Sequence, residues 1–210
     1  MNLNIKQLIF AIGIGFITNT YAQEEKKTTE QVNDITQDDH YAMFKIGYYN
    51  PIAVGDNFAN EALEQTGGVE FSFLANVFET PFLIGFQYNY FHSNVTNQEL
   101  VGTYDDSEIH SFGPLLGYQL LFTETWRVTI ASGVGITHYK NRASNEHFTD
   151  TATTLWVIPT VSYHFNKTLG VYFSGSYRRD FMNIHTPDGL DSFFKSANYV
   201  SFSLGLQILI

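Results

Sequence analysis

The stretch Pro81–Asn94 reads PFLIGFQYNYFHSN, and its side chains sort by parity. Phe82, Ile84, Phe86, Tyr88 and Tyr90 fall on one side, while Leu83, Gly85, Gln87, Asn89 and Phe91 fall on the other. A strict period of two marks a β-strand with two unlike faces, because an amphipathic helix repeats its apolar residues at three and four. From Tyr41 onward the same alternation occurs eight times. The segments are Tyr41–Val54, Gly68–Asn76, Pro81–Asn94, Ile109–Phe122, Thr125–Tyr139, Thr151–Phe165, Thr168–Arg179 and Tyr199–Ile210. Each reaches the roughly 9–11 residues that a tilted strand needs to cross a bilayer.

The connections alternate in length. Val77–Thr80, Thr123–Glu124 and Asn166–Lys167 are tight, whereas residues 55–66, 93–108, 140–150 and 180–196 form long polar loops. No helical periodicity separates the segments, so successive strands are expected to pair antiparallel, as an up-and-down meander. Four long loops then lie at one end, with three short turns and both ends of the barrel at the other. The expected fold is all-β: an eight-stranded antiparallel up-and-down transmembrane β-barrel over residues 41–210.

Alternation alone leaves open which face meets water, since a soluble barrel hides its apolar face inside. The composition of the polar face decides. Between the loop ends it carries four formal charges, Lys45, Glu70, Arg127 and Arg178, among residues such as Gly47, Ser72, Gln87, Asn89, Ser111, Thr129, Thr160 and Ser174. A water-facing surface carries about 25–35% charged residues, so this face is too sparsely charged and too small for an exterior. It suits a narrow lumen. The opposite face is expected to carry no charge, and aromatics gather at its turn end: Phe78, Phe82, Phe122, Trp126, Tyr163 and Phe165. Such girdles belong at the level of lipid headgroups. Pro114 and Pro159 fall on the apolar face inside strands, where a bulge or local widening is expected.

Upstream of the barrel the chain opens MNLNIKQLIFAIGIGFITNTYAQ. Lys6, the apolar run Leu8–Ile17 and the small-residue site ending in Ala22 make residues 1–22 a secretory signal peptide, which implies Sec export. Its removal leaves ten basic and 21 acidic residues, a net charge of −11, which excludes nucleic acid as a partner. Residues 23–40 hold only Val32 and Ile35 as aliphatic residues and read as a flexible acidic periplasmic leader. The absence of cysteine removes disulfides and thiolate metal sites.

In its export signal, eight dyad segments, loop alternation and amphipathic last strand YVSFSLGLQILI, the chain resembles the small eight-stranded outer-membrane β-barrels. The OmpA transmembrane domain and OmpX typify that family. The resemblance implies the outer membrane of a Gram-negative bacterium, with the bilayer and lipopolysaccharide as surroundings and the barrel-insertion machinery as a partner. Family members often end in an aromatic residue; this chain ends in Ile210.

Glu70 and Arg178 are both expected near the loop end of the lumen, where they form a candidate charge pair, structural or gating. Lys45 and Arg127 are expected near the turn end, reaching water or contacting Asn76 and His164. Ser162 and His164 share the inner face without an accompanying acid, so the nucleophile, base and orienting acid of acyl transfer do not converge. His138, His147, Glu146 and Asp150 match no metal-ligand spacing. No catalytic residue, cofactor or metal is therefore expected. The expected function is a non-enzymatic barrel whose loops 55–66, 93–108, 140–150 and 180–196 bind a surface ligand or support membrane integrity. A small gated pore, a lipid A-modifying hydrolase and a secretion-system accessory barrel are the alternatives.

Overall fold

The eight alternating segments become eight strands in a computed structural model, which describes residues 41–78, 80–143, 147–184 and 191–210. They are β1 Ala42–Ala53, β2 Leu63–Asn76, β3 Phe82–Val95, β4 Asp106–Phe122, β5 Trp126–Arg142, β6 His147–His164, β7 Leu169–Met182 and β8 Ser196–Leu209. Each pairs antiparallel with the next, and β8 closes on β1, giving a barrel in chain order. The expected signal peptide 1–22 and leader 23–40 lie outside the described residues, as do Glu146 and the side chain of Phe122.

Short turns are closed by their own side chains. Asn166 Oδ1 accepts from the backbone N–H of Thr168 at 2.9 Å and of Leu169 at 2.8 Å, and Thr123 Oγ1 accepts from Trp126 N–H at 2.8 Å. Among the described residues the long loops hold three short helices, α1 Phe58–Ala62, α2 Gln98–Val101 and α3 Asp191–Phe194. The first expected loop, 55–66, is thus not simply polar coil. It contains α1, and β2 begins inside it at Leu63.

The faces sort as parity dictates. Ile46, Val69, Phe86, Phe112, Leu116, Ile130, Val134, Leu155, Phe173 and Leu204 point outward with 38–69% of their surface exposed. A continuous apolar exterior on this scale does not occur on a monomer in water, so the outer face is built for hydrocarbon. Trp126, Tyr163 and Phe165 form an edge-to-face chain at the turn end, with centroids 4.9 and 5.6 Å apart. One outward charge departs from expectation. Arg179 sits on the apolar parity at the loop end of β7, with its guanidinium carbon 5.1 Å from the ring centroid of Phe181.

The prolines behave differently from expectation. The β4–β5 ladder omits Gly113 and Pro114 but resumes in the same register at Leu115↔Gly133, and β6–β7 likewise omits Ile158 and Pro159. Missing donors interrupt the ladder without a bulge. Register shifts occur elsewhere, between Gln65 and Gly68 and between Gln119 and Leu121. Pro51 sits where β1 has already parted from β2, whose pairing ends at Tyr49↔Gly68, while β1 still follows β8 to Ala53↔Tyr199. The Gln65 side chain bridges that parting: its Oε1 accepts from Ala53 N–H at 2.9 Å, and its Nε2 donates to the carbonyls of Ala59 and Leu63.

If the outer face meets lipid, Leu116→Arg will destabilise the barrel by about 2–4 kcal/mol, the value for a cation near the midplane. Equilibrium unfolding in phospholipid vesicles measures it, and a change under about 0.5 kcal/mol, the usual size of a surface effect, would contradict the lipid-facing assignment.

Candidate functional site

The lumen is filled in layers. Toward the turn end, Met43, Leu74, Leu83, Leu115, Ala131, Trp156, Ile158 and Leu209 form one buried apolar cluster. Toward the loop end, Tyr49, Phe58, Ala59, Leu63, Phe91, Ile109, Tyr139 and Tyr199 belong to a second. Glycines opposite the large rings make room for them. A Cβ on Gly113 would lie 2.9 Å from the Trp156 ring, and one on Gly47 would lie 2.5 Å from the Tyr172 hydroxyl. These glycines are sockets, and any side chain there would evict the ring. Buried polar side chains line the lumen at every depth, including Arg127, Ser162, His164 and Gln207 toward the turn end and Ser107 and Asn141 toward the loop end. The packed polar lumen that was expected is thus interleaved with two apolar clusters.

Helix α1 helps seal the loop end. Asn57 caps it, accepting from Ala59 N–H at 3.2 Å and Asn60 N–H at 3.3 Å while donating to the Val54 carbonyl at 2.8 Å. That fixes Phe58, which stacks on Phe194 of α3 at 6.0 Å and meets Tyr139 at 6.1 Å. Tyr104, in the loop before β4, packs against the same cluster. Burial, with Asp150 adding to it, pushes its phenol well above the ordinary value, so it stays neutral.

Two charge centres lie among these layers, the second in contact with Tyr139, Phe91 and Tyr199 of the loop-end cluster. In the first, Glu70 accepts from Ser203 Oγ at 3.0 Å, Gln87 Nε2 at 3.2 Å, Tyr172 Oη at 3.2 Å and Asn89 Nδ2 at 3.4 Å. Lys45 joins this side: its ammonium lies 5.3 Å from the Tyr172 ring centroid and donates to Thr160 Oγ1 at 3.3 Å. In the second, Arg178 binds Asp180 through Nε, at 2.8 Å, and through Nη2. Asp180 also accepts from Thr154 Oγ1 at 2.8 Å and from the Tyr139 hydroxyl. The Arg178 guanidinium stands 5.0 Å from the Tyr199 ring and 5.4 Å from that of Phe91.

The candidate pair of Glu70 with Arg178 is thus replaced by two separate centres. Arg178 takes the carboxylate of Asp180, two residues along the same inner face, and Glu70 is held by neutral donors. Asp180 was assigned to the loop at 180–196. Counting parity onward from Arg178 is the signal that would have found it, because β7 continues to Met182. Lys45 and Arg127 are 2% and 3% exposed, so neither reaches water. Ser162 Oγ donates to Gln207 Oε1 at 2.6 Å, which commits the hydroxyl to the lumen wall. His138 faces outward, while Asp150 turns to accept from Asn141 Nδ2 at 2.8 Å, so these two do not converge.

A double-mutant cycle separates the two arrangements. Arg178 and Asp180 will couple by about 1.5–3 kcal/mol in unfolding free energy, and Glu70 with Arg178 by under about 0.5 kcal/mol. The reverse order would restore the Glu70–Arg178 pair.

No family model and no curated protein matches the chain. Solved structures do. The attachment invasion locus protein Ail of Yersinia pestis matches with a TM-score of 0.51 at 10% identity, over 81% of this chain and 99% of that one. Neisserial surface protein A matches with a TM-score of 0.54 at 11% identity, over 80% and 97%. OprG from Pseudomonas aeruginosa matches with 0.50 at 14% identity, over 81% and 96%. At these identities the likeness is one of fold: the chain has the architecture of the small eight-stranded outer-membrane barrels.

Proposed function

We propose that the chain is an integral outer-membrane barrel of a Gram-negative bacterium, exported through the Sec route by residues 1–22. It is neither a pore nor an enzyme, and its four loops bind at the cell surface. One observation carries this reading. Lys45, Glu70, Arg178 and Asp180 are each no more than 2% exposed, although they are the charges an aqueous channel would have to wet. An eight-stranded barrel has an interior that side chains just fill, and the two apolar clusters do so at both ends.

The loops support the binding half of the reading. Expected loops 55–66 and 180–196 are anchored inward by Phe58 and Phe194, so they present a set surface instead of free coil. Ail has been crystallised in complex with the heparin analogue sucrose octasulfate, so a barrel of this architecture does hold a polyanionic sugar. Surface saccharides or other envelope polyanions are accordingly the first ligand class to test here.

Purified barrel in planar bilayers will give no discrete conductance steps, and Phe58→Ala combined with Trp156→Ala will raise leak by thinning both seals. Regular ohmic steps from the unmodified protein would replace this reading with the gated-pore alternative. Removal of any one long loop that leaves the barrel heat-modifiable on gels, yet abolishes glycan-array binding, would locate the ligand surface. Unchanged binding after all four removals would end the loop-display reading.

A further inference from the structure

Strands β4, β5 and β6 are 17, 17 and 18 residues long, whereas a tilted strand needs roughly 9–11 to cross a bilayer. The loop end of this wall therefore projects past the lipid-facing band. On its outer face Phe112 pairs with Ile136, and the next rung sets His110 between Tyr90 and His138. The rung beyond pairs His92 with Glu108 and Glu108 with Lys140, and the last pairs Asp106 with Arg142 and Arg142 with His147. Four of the seven histidines of the chain share this face, so proton uptake near about pH 6 is concentrated here.

With neutral imidazoles the face is balanced. Among the described residues it carries two carboxylates, Asp106 and Glu108, against two cations, Lys140 and Arg142. Arg142 is already spent on the acids: Asp106 Oδ1 accepts from its Nε at 3.0 Å and its Nη2 at 2.9 Å, and Glu108 Oε1 from its Nη2 at 3.4 Å. The neighbouring Asp105 and Asp150 lie on the opposite parity, bound by Gln98 and Asn141. The histidines approach the same two carboxylates. His92 Nε2 is 3.4 Å from Asp106 Oδ1, and His110 Nε2 is 3.9 Å from Glu108 Oε2. Each acid thus stands between a permanent cation and a titratable one.

Protons arriving on these rings find no unused acid. His92 meets Asp106 and the opposite Glu108, both already shared with Arg142. His147 faces Arg142 across the ladder, with Lys140 and Glu108 in the same cleft. His138 stands opposite His110 and two residues from Lys140. His110 charges last: burial and Lys140 oppose its proton more than Glu108 favours it, and Tyr88 Oη lies 2.9 Å from its Nδ1. Like charges directly opposite each other repel, so the His110–His138 pair takes one proton before two. One proton each on His92, His147 and that pair moves the face from a formal zero to about +3, with no change of backbone.

We propose that this face is an acid-switched docking site for a soluble polyanion, balanced near neutrality and cationic once its histidines are charged. The charged groups stand on four adjacent strands about 4.8 Å apart, a spread that suits an extended ligand bearing several sulfates or phosphates over a single anion. Their place beyond Phe112 and Ile136 opens them to water, where such a ligand arrives. The inference rests on the reading of the loop end as a binding surface and supplies the condition under which it binds.

The test uses the full barrel in phosphatidylcholine nanodiscs and measures sucrose octasulfate binding by calorimetry, with uncharged sucrose as the control. Titrations at about pH 5.5 and about pH 7.5 bracket the ordinary histidine value of about 6.5. Affinity is expected to be at least about tenfold higher in acid, and the gain to shrink with added salt. His92→Gln, His138→Gln and His147→Gln together should abolish the gain, while Lys167→Gln in a turn at the opposite end should keep it. Asp106→Asn with Glu108→Gln removes the two balancing acids and should bind near neutrality as the unmodified barrel binds in acid. Equal affinity at both pH values overturns the switch and leaves the binding surface in place. So does a gain that survives the three histidine replacements, or a double amide variant that still needs acid. No binding at either value overturns both the switch and the choice of polyanions as ligand class.

Discussion

A sheet closed on itself in hydrocarbon leaves polarity only one place to go, its own axis. Most backbone groups of the strands are spent in the ladder, the outside is mainly carbon, and charges that remain must find partners within a cylinder too narrow for bulk water. The interior of this barrel follows from that constraint. Among the described residues, four of the five buried charges fall in two centres: Arg178 with Asp180, and Glu70 with neutral donors beside Lys45. The cation-to-ring distances of 5.0–5.4 Å place tyrosine and phenylalanine faces against the remaining positive charge. Apolar clusters pack between the polar layers, and even the turn end keeps Arg127, Ser162 and His164 buried.

The glycines and the large rings of the lumen form a matched set. Gly113 and Gly135 lie under Trp156, and Gly47 lies under Tyr172, so bulk on one strand is met by absence on a nearby one. Eight strands leave a cross-section that rings can fill only if neighbours retreat, which is why small and large residues recur together on the inner parity.

Much of this was legible beforehand, and the reason is geometric. A pleat puts alternate residues on opposite faces whatever else the chain does, so parity alone separated Phe86 and Leu116 from Gln87 and Ser111. Strand ends were not legible to the same degree, because an apolar alternation stops where the bilayer stops while the hydrogen-bonded strand does not. That is how Asp180 came to be counted with a loop, and how the long wall of β4–β6 was underestimated. Helix α1 was missed for a different reason. Five residues carry too little periodicity to register, although Asn57 before Phe58 is a usable capping signal. Partner choice inside the lumen was the least readable of all. The carboxylate that Arg178 meets follows two residues later on the same face of β7, so nearest-residue reasoning along a single strand would have served better than pairing by depth.

The two charge centres also differ in when they can exist. Arg178 and Asp180 belong to one strand, so they can neutralise each other as soon as β7 is extended, before any neighbour arrives. Glu70 on β2 depends on Gln87 and Asn89 from β3, Tyr172 from β7 and Ser203 from β8. Its last donors come from the far end of the chain. The carboxylate therefore acts as a chemical record of closure, uncompensated until the first strands and the last have met around the axis.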